Sequence, residues 1–171
     1  MASIIEELIA VLGAELTLYK EFVPVCKEKT KVIVENKIDE LNTINIKEQE
    51  YLDKIAILDK KREQVLRNVA DVTGKKVSEL NVATIIKMID KQPKEQKELS
   101  IIYDGLKETT KLLVDINNHN KALIQQSLDM IEFNMNFIQS TWMQPGSNNY
   151  NNVANMNYGQ QGTNTMFDAK Q

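Results

Sequence analysis

Apolar residues recur at intervals of seven, interleaved with charges, through most of the first 143 positions of this chain. Ile5, Leu12, Tyr19, Cys26 and Ile33 form one series, widened by Leu8, Ile9, Leu16, Phe22 and Val23. Ile44, Tyr51, Leu58 and Val65 form a second, with Leu41, Leu52, Ile55, Leu66 and Val69 on the same face. A third runs through Ile102, Thr109, Ile116, Leu123, Met130 and Phe137, flanked by Leu99, Leu106, Leu113, Ile124, Ile131 and Ile138. That spacing places each series on one stripe of an α-helix, whereas a strand would need alternation at two. The chain therefore reads as all-α, an elongated antiparallel helical bundle or coiled coil. Fifty helical residues from about Pro93 to Met143 would span roughly 75 Å.

The boundaries follow from local chemistry. Ser3 and Glu6 have the spacing of a capping box at the first helix start. Pro24 falls inside the first series and removes one backbone hydrogen bond, so a bend is expected between Lys20 and Val25. No proline or glycine separates the first two series. They read either as two helices or as one with a loose junction near Asn42 to Asn45. Gly74 suits a helix C-terminus, and Ser78 suits the start of a short helix containing Leu80, Val82, Ile85, Ile86 and Ile89. Pro93 suits the first turn of the last helix, and Gly105 lowers helix propensity inside it.

The domain is expected to span 1–143, with a flexible Asn/Gln-rich tail over 144–171. No charge occurs between Phe133 and Phe167, and the tail holds too little apolar mass to fold alone. Aromatic content of 6% and three prolines fit helices better than a sandwich. A net charge of −3 offers no basic surface to nucleic acid. Glu6, Glu7 and Glu15 interrupt the N-terminal apolar run, so neither a signal peptide nor membrane insertion is expected. The single cysteine, Cys26, fits a reducing compartment, and a cytoplasmic location is expected.

Catalytic chemistry has little to stand on. His119 is the only histidine, so neither a zinc centre nor a di-iron bundle can be assembled, and no metal or cofactor is expected. Cys26 and His119 could form a nucleophile–base pair, but a buried thiol and a polar helix residue describe them as well. A histidine phosphotransfer domain would need a basic residue three positions after the histidine, then glycine. Ala122 and Leu123 stand there instead. Asp39, Glu40, Glu48, Glu50 and Asp53 alternate with Lys47 and Lys54, as on a solvated helix face. The chain does not read as an enzyme.

The end of the last helix is the better lead. Leu123, Ile124, Leu128, Met130, Ile131, Met135, Phe137, Ile138 and Trp142 cover more than one face. Leu123, Met130 and Ile131 are expected to line the bundle core. Met135, Phe137, Ile138 and Trp142 are expected where the helix outruns its neighbours, forming a surface for an amphipathic partner helix. Self-association to a homo-oligomer would use the same surface.

The segment Ile116 to Ile124 resembles the signature of the FlgN family of flagellar export chaperones. That family carries Asn-x-x-Asn-x-x-Leu-(Leu or Ile) in its last long helix, matched by Asn117, Asn120, Leu123 and Ile124. Tyr158-Gly159-Gln160-Gln161-Gly162 matches a tail element of the family, and Met166-Phe167-Asp168 resembles the ending of some members. The resemblance implies a cytoplasmic chaperone of the flagellar type III export system. Such a protein binds the C-terminal regions of the hook-filament junction proteins and prevents their premature assembly. It then delivers them to the export gate.

By the same resemblance, client contacts fall on Leu123, Ile124, Met130, Ile131, Met135, Phe137, Ile138 and Trp142, and export-gate docking on Tyr158. Asn117 and Asn120 lie three apart and could bond across the bundle, fixing register at some cost in stability. Exchange of Asn120 for leucine would then leave stability unchanged or raised while admitting other oligomers. Two alternatives remain open: a self-associating coiled-coil scaffold, and phosphotransfer through His119.

Overall fold

The computed structural model describes residues 2–142, with side chains placed for 3–140. The helices are α1 (Ala2–Val34), α2 (Ile38–Thr73), α3 (Val82–Met88) and α4 (Pro93–Trp142), with a 3-10 turn at Val77–Glu79. All regular structure among the described residues is helical, as the sevenfold spacing requires. The chain divides into two compact units, Met1–Glu132 and Phe133–Gln171. The packing described next is that of the first.

α1 and α2 form an antiparallel pair. Glu15 meets Arg62, Phe22 stacks on Tyr51 with ring centroids 5.1 Å apart, and Lys29 bonds Glu48 at 2.6 Å. Rising numbers on α1 thus meet falling numbers on α2. The break between them lies at Glu35–Lys37, not at Asn42–Asn45, which are inside α2. Asn36 takes the left-handed conformation (φ 55°), and the following Lys37 N–H closes on the Val32 carbonyl at 3.1 Å. Asparagine tolerates this conformation better than other residues with a Cβ, so it ends a helix where glycine is missing. The reading of one continuous helix is therefore corrected.

Three other boundaries show which local signals prevail. α1 begins at Ala2, so Ser3 lies within its first turn, and the helix continues unbroken through Pro24. Gly74 is left-handed (φ 67°) and its N–H reaches the Ala70 carbonyl, ending α2 as expected. Ser78 sits in the 3-10 turn, while Asn81 caps α3: its Oδ1 accepts the Thr84 N–H at 2.7 Å. Both side chains are good caps, but only Asn81 has extended backbone immediately before the helix.

The core gathers Ile5, Leu8 and Leu12 of α1 with Val65, Val69 and Ala70 of α2. Leu80, Ile85 and Ile89, in and around α3, close it together with Leu99 of α4. Each of the Leu, Ile and Val side chains contributes about 1.5–3 kcal/mol on burial, which is why even the seven-residue α3 holds its place.

α4 runs parallel to α1. Ile102 lies beside Gly13, Gly105 beside Leu16, and Asn120 bonds Cys26 and Thr30. A Cβ on Gly105 would stand 3.0 Å from Leu16 Cδ2, so any side chain here would require Leu16 to shift by a few tenths of an ångström. The Gly13–Ile102, Leu16–Gly105 and Thr30–Asn120 pairs share an offset of 89 or 90 residues. Adding 90 to Val34, the last residue of α1, places its end level with about Ile124. That register governs what α4 exposes.

Candidate functional site

Within the first unit, α4 loses cover in the order the register dictates. Thr109 and Asn120 are buried, Ile116, Leu123 and Ile124 are half-buried, and Leu128, Met130 and Ile131 are exposed. Asn120 is the last buried residue of α4 among the described residues. Met130 and Ile131 therefore do not line the core as expected, because α1 ends before it could reach them. Leu123 is only partly covered.

In the second unit Phe133, Met135, Phe137 and Ile138 are all exposed, between 49% and 69%. The Trp142 side chain and Tyr158 lie outside the described residues. Phe133 and Leu128 join the candidate set on burial grounds. The sequence marked both as apolar, but its sevenfold series pass them by.

Spacing sorts these residues into two stripes. Ile124, Leu128, Ile131, Met135 and Ile138 follow intervals of four and three, whereas Leu123, Met130 and Phe137 are seven apart, with Phe133 one turn from Phe137. Burial of a large apolar side chain is worth about 1.5–3 kcal/mol, so several left in water form a surface that gains by being covered.

Of the two motif asparagines only Asn120 is buried; Asn117 is exposed. Asn120 Nδ2 donates to the Cys26 carbonyl at 3.0 Å, and its Oδ1 accepts the Thr30 hydroxyl at 2.6 Å. Leucine in its place would remove both bonds inside a close-packed site, leaving the Thr30 hydroxyl only its longer bond to the Cys26 carbonyl at 3.3 Å. Asn120→Leu is therefore expected to lower stability by about 1–2 kcal/mol in urea unfolding rather than to raise it. An unchanged midpoint would show that water replaces the amide.

Cys26 is buried beside this bond, and burial pushes its thiol up to about 11, with Glu48 adding to the shift. A thiol so placed stays protonated near neutrality and is a poor nucleophile. His119 is exposed.

A buried ion pair braces the middle of the bundle. Glu15 is fully buried, and its Oε2 accepts from Arg62 Nη1 at 2.9 Å. The other Arg62 nitrogen, Nη2, binds Asp59 Oδ1 at 2.8 Å, while Glu15 Oε1 has no partner. Burial raises the Glu15 carboxyl above its ordinary range against the pull of Arg62, and Asp59 reinforces the rise. The Tyr19 hydroxyl is raised by burial and by the same two carboxylates. One guanidinium thus joins α1 to α2 where an apolar contact would have served, with the fork geometry that lysine lacks.

Among the described residues no group of three or more His, Cys, Asp or Glu could hold a metal ion, and no helix is long and apolar enough to cross a membrane. Residues 1–164 match the family model described as FlgN protein. No curated protein and no solved structure matches the chain.

Proposed function

The chain belongs to the FlgN family and is a flagellar export chaperone, and we propose that the substrates it holds are the hook-filament junction proteins, bound through their C-terminal regions. The observation that carries this reading is the exposure of large apolar side chains on α4, Leu128, Met130 and Ile131 in the first unit and Phe133, Met135 and Ile138 in the second. A client segment that assembles through an amphipathic helix must have its apolar face covered until it is exported. An exposed stripe of Met, Ile and Phe offers that cover with side chains that adapt to the partner.

In this proposal Leu123, Ile124, Met130, Ile131, Met135, Phe137, Ile138 and Trp142 contact the client. Tyr158 docks the loaded chaperone at the export gate, and the protein works in the cytoplasm. Tyr158→Ala is expected to leave client affinity intact while reducing secretion of the client. Equal loss of both would assign the tyrosine to the client site.

The test of the reading is calorimetric titration of the full chain with the C-terminal segment of each junction protein. Saturable binding near one to one, lost on truncation before Leu123, is the expected result. A folded, helical sample that binds neither segment but self-associates in the micromolar range would make the α4 surface a contact between copies of a scaffold.

A further inference from the structure

α2 and α4 both pack on α1, yet a groove between them stays open to solvent. Its first stretch, about 660 Å³, is floored by Leu12 and walled by Leu66 of α2, Val82 of α3 and Leu106 of α4. Its second, about 370 Å³, is floored by Tyr19, Phe22 and Cys26 and walled by Ile55 and Leu113. Thr110 and Val114 line both stretches, so the two adjoin along α4. From Leu12 to Cys26 the floor extends about 21 Å at 1.5 Å per residue, the length of four helical turns.

Charge selects the occupant. Every charged side chain lining the first stretch is basic, namely Arg62, Lys107 and Lys111, although the chain as a whole carries −3. The one carboxylate lining the second stretch, Glu48, is held by Lys29 at 2.6 Å. Arg62 is already engaged by Glu15 and Asp59. Lys107 and Lys111 are exposed and form no ion pair among the described residues. They stand one turn apart on the rim of α4; Asp104, Glu108 and Asp115 neighbour them on that helix at three or four residues but do not line the groove.

We infer that this groove receives an amphipathic helix of an export client, apolar side down, with carboxylates one turn apart along its edge facing Lys107 and Lys111. The inference rests on the chaperone reading above and adds a second contact surface to the apolar stripes of α4. A helix is the occupant whose length and single apolar face match a four-turn apolar trough, and it would complete a four-helix bundle. The chain's own C-terminal stretch does not meet the charge requirement, since no carboxylate occurs between Phe133 and Phe167. Paired charges at such a rim set orientation and speed encounter more than they add affinity, so their effect falls with salt.

The experiment is titration of the full chain with the same junction-protein segments, comparing wild type, Lys107→Glu/Lys111→Glu and Lys94→Glu/Lys97→Glu. The last pair makes the same charge change on exposed α4 positions outside the groove. The expected result is a Kd raised roughly tenfold by the groove pair and unchanged by the control, with wild-type affinity weakening from low to moderate salt. Equal Kd for both pairs, with binding still lost on truncating α4, would overturn the groove and leave the chaperone reading standing. Absence of wild-type binding to any segment would overturn both. A wild-type dimer in light scattering that only the groove pair dissociates would also overturn the inference, by making a second copy the occupant.

Discussion

Replacing Arg62 by alanine is expected to lower the unfolding free energy by about 3 kcal/mol, because it strands the Glu15 carboxylate inside the bundle. Arg62 is itself one-third exposed, so water entering the vacated space holds the loss to the low end of what breaking a buried pair costs. The pH dependence carries the sign. Between the ordinary carboxyl value of 4.5 and the raised value in the fold, the folded chain binds more proton than the unfolded one. Stability therefore falls as pH rises through that window. Loss of Arg62 removes the main force opposing the shift and extends the window upward. Urea unfolding should then show a smaller difference from wild type near pH 5 than near pH 7. Adding Glu15→Gln to Arg62→Ala should recover part of the loss, since the stranded charge is gone. A cost below about 1 kcal/mol, as for a surface ion pair, would show that Glu15 carries no net strain.

Phe133→Ala with Phe137→Ala is expected to weaken client binding by about 2–4 kcal/mol, a roughly thirty-fold or greater rise in Kd. The two rings lie one turn apart on one face of α4, and both are mostly exposed in the free chain. Truncating Phe133 removes contact area offered to a partner, whereas Phe137 also has a contact within the chain, so its share is read against the unfolding of the same variant. Met135→Ala with Ile138→Ala probes the other stripe in the same titration. One client helix laid along α4 meets one stripe more than the other, so the two double variants should differ. Equal and small effects from both would move the client off this part of α4.

Much of the fold was legible because burial imposes a period. The series through Ile5, Leu12 and Cys26, and that through Ile44 and Val65, point inward as their spacing requires. The ends of α2 and α4 fall close to where Gly74 and Pro93 place them. α3 starts after Asn81 rather than at Ser78, and the α1–α2 break lies at Asn36 rather than near Asn42 to Asn45. Several polar residues in each region could serve, and the neighbouring backbone selects among them. The candidate site was legible in part. The apolar excess on α4 is written in the sequence, but Met130 and Ile131 continue the same series as buried residues and looked like core.

The sequence alone determined that this chain is helical and amphipathic, and it carried the family motif around Asn120. Those are consequences of spacing along one chain. Only the tertiary structure decided that Gly105 lies against Leu16, that Asn120 bonds Cys26 and Thr30, and that Arg62 answers Glu15. It also decided where α1 stops beside α4, and hence which apolar residues remain uncovered. A period tells which side of a helix is apolar; how far a neighbour runs along it depends on register, which is set by contacts ninety residues apart in the chain.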